Sequence, residues 1–145
     1  MSYLIDGSNL GGQAGGARGA RDAAAVIRWL LPWARQRSGV VVFFDGPPPG
    51  DIAARYGALE VRFTAPLTAD QAILRALGKG ARSKIVVTAD QALARACRDL
   101  GARVETAAAL LGRTEKTHRR LADEGEKPTP SGADQAYWKK VFGGE

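Results

Sequence analysis

Four aspartates, Asp6, Asp45, Asp70 and Asp90, stand where a sequence of this kind can build chemistry. Asp6 ends the apolar run Tyr3-Leu4-Ile5, and Asp45 ends Val40-Val41-Val42-Phe43-Phe44. Asp90 follows the stretch from Lys84 to Thr88, and Asp70 follows Thr68 by two residues. The apolar runs read as parallel strands, and ligands of such sheets bind beyond the carboxyl ends of the strands. Asp70 falls in the first turn of a helix that starts at the same edge. Four carboxylates from distant parts of the chain would therefore meet. Alone they would repel one another and raise each other's pKa values. A hard divalent cation removes that penalty, and oxygen ligands suit Mg²⁺ or Mn²⁺. Such an ion can activate a water and stabilise the charge on a leaving oxygen, the chemistry of phosphodiester cleavage.

Each aspartate also has a plainer reading. Asp6 lies in the turn-forming Asp6-Gly7-Ser8-Asn9, and Asp45 precedes Gly46-Pro47. Asp70 would favour a helix dipole, and Asp90 would serve as an N-cap. Four independent turn roles need not choose one edge, so the shared edge favours a common site.

The elements that must position these residues follow from pattern. The run from Val40 to Phe44 has no polar alternation, as expected of a strand covered on both faces. Glu60 to Thr64, Lys84 to Thr88 and Arg103 to Glu105 are further strands. A helix is expected from about Asp22 to Gln36, kinked or split at Pro32, which cannot donate the helical hydrogen bond. Thr68 caps a helix carrying Ile73, Leu74 and Leu77, and Gly78 ends it. Another opens at Ala89 or Asp90, with Leu93, Cys97 and Leu100 inward, and closes at Gly101. Ala107 to Leu111 is expected as a short helix. Alternating strands and helices imply right-handed crossovers and an α/β three-layer sandwich around a mostly parallel sheet.

Length and composition agree with one soluble domain. The chain has 145 residues, 45% hydrophobic and 25% charged. No apolar run is long enough for a membrane span, and no signal peptide is evident, so a cytoplasmic location is expected. The single cysteine, Cys97, excludes an internal disulfide and is expected to be inert in the core. Net charge is +6; with the four aspartates set aside, 21 bases face 11 acids. Acids gathered in one cluster and bases elsewhere suit a metal enzyme acting on nucleic acid.

These segments resemble a known family. Leu4-Ile5-Asp6-Gly7-Ser8-Asn9-Leu10 is similar to the opening Asp-Gly-x-Asn motif of NYN domains, which belong to the PIN-like nucleases. Val42-Phe43-Phe44-Asp45, Thr68-Ala69-Asp70 and Val86-Val87-Thr88-Ala89-Asp90 resemble that family's later motifs, in order, and Gly101-Ala102 fits the segment after them. The set best resembles the YacP-like branch, bacterial ribonucleases of which some act at the ribosome. The resemblance implies a PIN-like nuclease domain over residues 1–111 and a basic helical and loop extension over 112–145, packed on the same domain. It implies an endoribonuclease with Asp6, Asp70 and Asp90 as metal ligands and Asp45 as a fourth acid. Asn9 would orient a ligand, and Thr88 would hydrogen-bond behind the carboxylates. The branch carries a Glu before Thr-Ala-Asp, where this chain has Leu67. That departure implies weaker metal binding or reliance on Asp45.

The remaining features fit RNA. Arg18 and Arg21 follow a glycine-rich loop, Gly11 to Gly16, and are expected to reach the RNA backbone. Arg113, Lys116, Arg119 and Arg120 form a basic helical stretch expected to contact phosphates, with a solvated helix face as the plain alternative. His118, in that stretch, reads as a solvated residue. Trp29 and Trp33 read as core. Residues 123–132 read as a loop, and Ala136 to Phe142 as a terminal segment. Two other functions stay open: an RNA-binding module of this fold with weak catalysis, and a nucleotide-binding α/β protein using the glycine loop.

Overall fold

The computed structural model describes residues 2–8, 10, 20–78 and 80–124. Six strands form one sheet: β1 Ser2–Asp6, β2 Val40–Phe44, β3 Arg55–Tyr56, β4 Leu59–Phe63, β5 Lys84–Val87 and β6 Arg103–Glu105. Among the described residues, helices α1 Ala20–Ala34, α2 Ala69–Leu77, α3 Gln91–Asp99 and α4 Ala107–Glu124 cover it. A 3₁₀ turn, Ala81–Ser83, precedes β5. The sheet order is β3-β4-β2-β1-β5-β6, with every pair parallel except β3 and β4. This is the expected α/β architecture around a mostly parallel sheet.

Side chains alternate across the sheet and build two cores, because successive strand residues point to opposite faces. Ile5, Val40, Val42, Phe44 and Val87 face α1 and α4, where they pack with Val26, Leu30, Trp33 and Leu110. Leu4, Phe43 and Val86 face α2 and α3, where they meet Ile73, Leu77, Leu93 and Cys97. Two covered faces explain why the central strands are apolar at every position.

The strand order carries a consequence for function. From β1 the chain steps to β2 on one side and later to β5 on the other. The topological switch thus lies at β1, and its crevice opens at the carboxyl ends of β1 and β5.

Several expectations change. Strand β3 has only two residues and was not evident; it returns on β4 through Gly57, whose φ of +61° suits glycine. Helix α1 is not split, because Pro32 sits in its last turn, where little helix remains to break. The short helix expected at 107–111 is the start of one continuous helix to Glu124, so position 111 lies within α4 and Asp123 is helical. Gly112, a weak helix former, lies inside this helix. His118 is not a solvated side chain. Its Nε2 donates to the Trp29 carbonyl at 2.8 Å and its ring stacks on Trp29, tying α4 to α1.

Candidate active site

Asp6 is the buried acid of the group, 4% exposed at the end of β1. Thr88, itself buried just past β5, donates its hydroxyl to Asp6 Oδ2 at 3.0 Å and accepts the Asp90 N–H at 3.0 Å. One hydroxyl thereby fixes two acids across the switch-point crevice. Asp90 caps α3: its Oδ1 accepts from the N–H groups of Ala92 and Leu93 at 2.9 and 3.1 Å. The N-cap role and the site role coexist on one residue, because the cap uses a single carboxylate oxygen.

Asp45 is built in the same manner. Its Oδ1 accepts the Ala69 N–H at 2.7 Å, in the first turn of α2. Its own N–H donates to Ser8 Oγ at 2.9 Å, which ties the segment after β1 to the end of β2. Thr68 completes a capping box with Gln71, as its type and place predict. Thr64 donates its hydroxyl to the carbonyls of Phe44 and Leu67, holding the approach to α2. Gly7 allows the chain to pass closely here: a Cβ would lie 2.6 Å from Phe44 Cε1 and 2.9 Å from the Phe43 carbonyl.

Asp70 reports the electrostatics. Its carboxyl is held above the ordinary 3.8, first by burial, then by the charges of Asp90 and Asp45. The three acids from three segments therefore share one field. Burial, with a smaller contribution from Asp70, pushes the Cys97 thiol up to about 11, which leaves it protonated and inert.

The structure brings Asp6, Thr88 and Asp90 together by hydrogen bonds and couples Asp45, Asp70 and Asp90 through charge. Among the described residues, no group of three His, Cys, Asp or Glu side chains is placed to hold an ion by itself. Convergence of Asp6, Asp70 and Asp90 on one cation without rearrangement is thus not seen. Asp6, Asp45 and Asp90 each commit an oxygen to Thr88 or to the backbone. The donor set still fits Mg²⁺, which takes one or two carboxylates and keeps waters and phosphate oxygens for the rest of its shell. Leu67, in place of the branch's Glu, is half-buried and lines an apolar groove with Phe43 and Thr64.

Sequence reasoning missed Ser8, Thr64 and Gly7. Their Ser, Thr and Gly identities beside strand ends were visible, but their partners are 20 to 37 residues away or across the sheet. Asn9, Arg18 and the loop Gly11 to Gly16 lie outside the described residues, as do residues 125–145, with the terminal segment Ala136 to Phe142. Arg21 lies in α1. Arg113 forms a two-pronged ion pair with Glu105 at 2.7 and 2.9 Å, which raises its pKa. Arg119 stands 3.8 Å from Glu115 on the exposed side of α4. Among the described residues, no helix is long and apolar enough to cross a membrane.

Comparison with known proteins agrees with this architecture. No curated protein matches the chain. A crystal structure of Rae1 (YacP) from Bacillus subtilis superposes with a TM-score of 0.73 at 22% identity, covering 99% of this chain and 88% of that one. A point-mutant crystal structure of the same protein superposes at 0.69 with 27% identity, covering 88% and 83%. The model of the YacP-like NYN domain matches residues 4–141. Nearly the whole chain lies within that match, and the protein belongs to the YacP-like NYN domain family, a family of nuclease type.

Proposed function

We propose that this protein is a divalent-metal-dependent endoribonuclease that hydrolyses RNA phosphodiester bonds at the edge formed by Asp6, Asp45, Asp70 and Asp90. The observation that carries the reading is the Thr88 hydroxyl bridging Asp6 and the Asp90 backbone, beside an Asp70 carboxyl crowded by two further acids. Acids with perturbed pKa values cluster at functional sites, and ligands of parallel sheets bind at the switch point. Asp6, Asp70 and Asp90, drawn together from their places in the metal-free arrangement, would hold Mg²⁺ or Mn²⁺, with Asp45 assisting. Such an ion supplies Lewis acidity and an acidified water.

The chain's own contribution is positioning. Thr88 locks the orientation of Asp6, and α3 locks that of Asp90. Asp45 joins the start of α2 to the end of β2, which keeps Asp70 at the same edge. Fixed acids leave the scissile phosphate and an attacking water as the mobile partners, and fixed geometry lowers the barrier to in-line attack. Asn9 would orient the phosphate. Residues 112–145 would extend the same domain with positive charge. Family likeness supports RNA as the substrate, the ribosome as a place of action and the cytoplasm as location.

A second reading, an RNA-binding module with weak catalysis, is favoured by Leu67 and by the spacing of the carboxylates. One assay separates the two. Labelled single-stranded RNA incubated with the protein should be cut internally with Mg²⁺ or Mn²⁺ and left intact with EDTA. RNA bound equally well in EDTA and never cut would establish the second reading.

A further inference from the structure

A pocket of about 350 Å³ lies between the end of α1 and the middle of α4, lined by Trp33, Gln36, Arg37, Lys116, Thr117 and Arg120. Arg113 borders it too, but is occupied by Glu105. Among the described residues, no carboxylate forms an ion pair with Arg37, Lys116 or Arg120. Glu115, the acid nearest in sequence on α4, is faced by Arg119 instead. Among the described residues, three cations thus share one concavity without a counter-charge.

A second observation concerns the wall of the pocket. Trp33 is 1% exposed, and its indole Nε1 has no hydrogen-bond acceptor among the described residues. The Arg37 guanidinium lies 4.8 Å above the Trp33 ring, and Tyr3 packs against its edge. Buried N–H donors are nearly always paired. A pocket whose cations Arg37, Lys116 and Arg120 have no ion-pair partner among the described residues is complementary to a phosphoryl group, which brings negative charge and several acceptor oxygens.

The location sets this pocket apart from the aspartate edge. Gln36 and Arg37 lead into β2, at the amino ends of the parallel strands. Helix α4 leaves the carboxyl edge at Ala107 and reaches Arg120 about 20 Å further along its axis. Lys116 and Arg120 are therefore carried away from the aspartates rather than alongside them.

We infer that this α1/α4 pocket is an RNA exosite, which grips a backbone phosphate remote from the bond that is cut. The inference rests on RNA being the substrate, but not on cleavage. It gives the enzyme a second point of hold on the strand, so that substrates long enough to span both sites bind more tightly than short ones.

The test measures binding of labelled single-stranded RNA to the full chain in EDTA across a salt series. Lys116→Ala with Arg120→Ala keeps good helix formers on an exposed face, so the fold is retained. Loss of the gripped phosphate should lower affinity and reduce the slope of log affinity against log salt by about 0.7. Unchanged affinity and slope would overturn the exosite. In parallel, the Trp33 indole N–H resonance should shift on titration with RNA and lose that response in the double variant. A shift with inorganic phosphate and none with RNA would also overturn it, since the pocket would then serve a small anion. RNA held here by a protein that never cuts in Mg²⁺ would sink the nuclease reading and leave the exosite standing. Cleavage with an unaltered salt slope in the double variant would do the reverse.

Discussion

The carboxyl edge of the sheet and the α1/α4 face hold their charges in opposite ways. At the edge, Asp6, Asp45 and Asp90 are each tied by hydrogen bonds of 2.7 to 3.1 Å to Thr88 or to helix N–H groups. On the face, Arg37, Lys116 and Arg120 are long side chains with no ion-pair partner among the described residues. The difference matches the roles proposed for the two regions. Bond-making at a phosphorus needs groups fixed within a fraction of an ångström. Holding a flexible polyanion needs only charge within reach, and mobile side chains provide it. The acids are short and hydrogen-bonded in place; the bases are long and have no ion-pair partner among the described residues, with Arg37 alone held, over the Trp33 ring.

The sharpest break in the comparison is Asp90→Asn. Asparagine caps helices as well as aspartate does, so α3 and the melting temperature should be nearly unchanged. Cleavage should disappear, because the amide cannot supply the ligand charge. Full activity in this variant would place the metal elsewhere. Next in size is Thr88→Val. It removes the donor to Asp6 and the acceptor for the Asp90 N–H while keeping the shape. Loss of a group that orients metal ligands typically costs ~10–100-fold in activity. Thr88→Ser should restore most of it, and a Val variant with wild-type kcat would show that the hydroxyl only serves packing.

The smallest effect concerns charge crowding. Asp70 has a folded pKa above the unfolded value of 3.8, so the folded state keeps that proton to higher pH. Stability of the metal-free protein should therefore fall as pH rises from 3.8 through the raised folded pKa, and stay lowered above it. Asp70→Asn removes that fall. Because the site is partly solvated, the gain at pH 7 should be small, a Tm increase of about 1–3 °C. A lower Tm at pH 7 in this variant would mean that Asp70 is held by favourable contacts rather than strained by its neighbours.

Much of this site was legible before the fold was known. Apolar runs that stop at aspartates mark strands ending at one edge, and Thr68 and Asp90 announce caps by their identity and place. Tertiary partners were not legible. That Thr88 reaches Asp6 across 82 residues depends on β1 and β5 being neighbours, and strand order is absent from periodicity. Arg113 read as an RNA contact because clustering of bases is visible, whereas Glu105, its partner, belongs to another element. His118 was misjudged for the same reason, since Trp29 lies 89 residues away. The two-residue β3 was too short for any period to show.

Paramagnetic broadening by Mn²⁺ in the amide NMR spectrum of the metal-free protein would locate the metal directly. Substoichiometric Mn²⁺ should broaden the signals of Asp6, Thr88, Asp90 and the first turn of α2 around Asp70. Excess Mg²⁺ should restore them, and the amides of Lys116 and Arg120 should stay sharp. Broadening centred on any other part of the sheet, or none at all, would contradict a metal site at the aspartate edge.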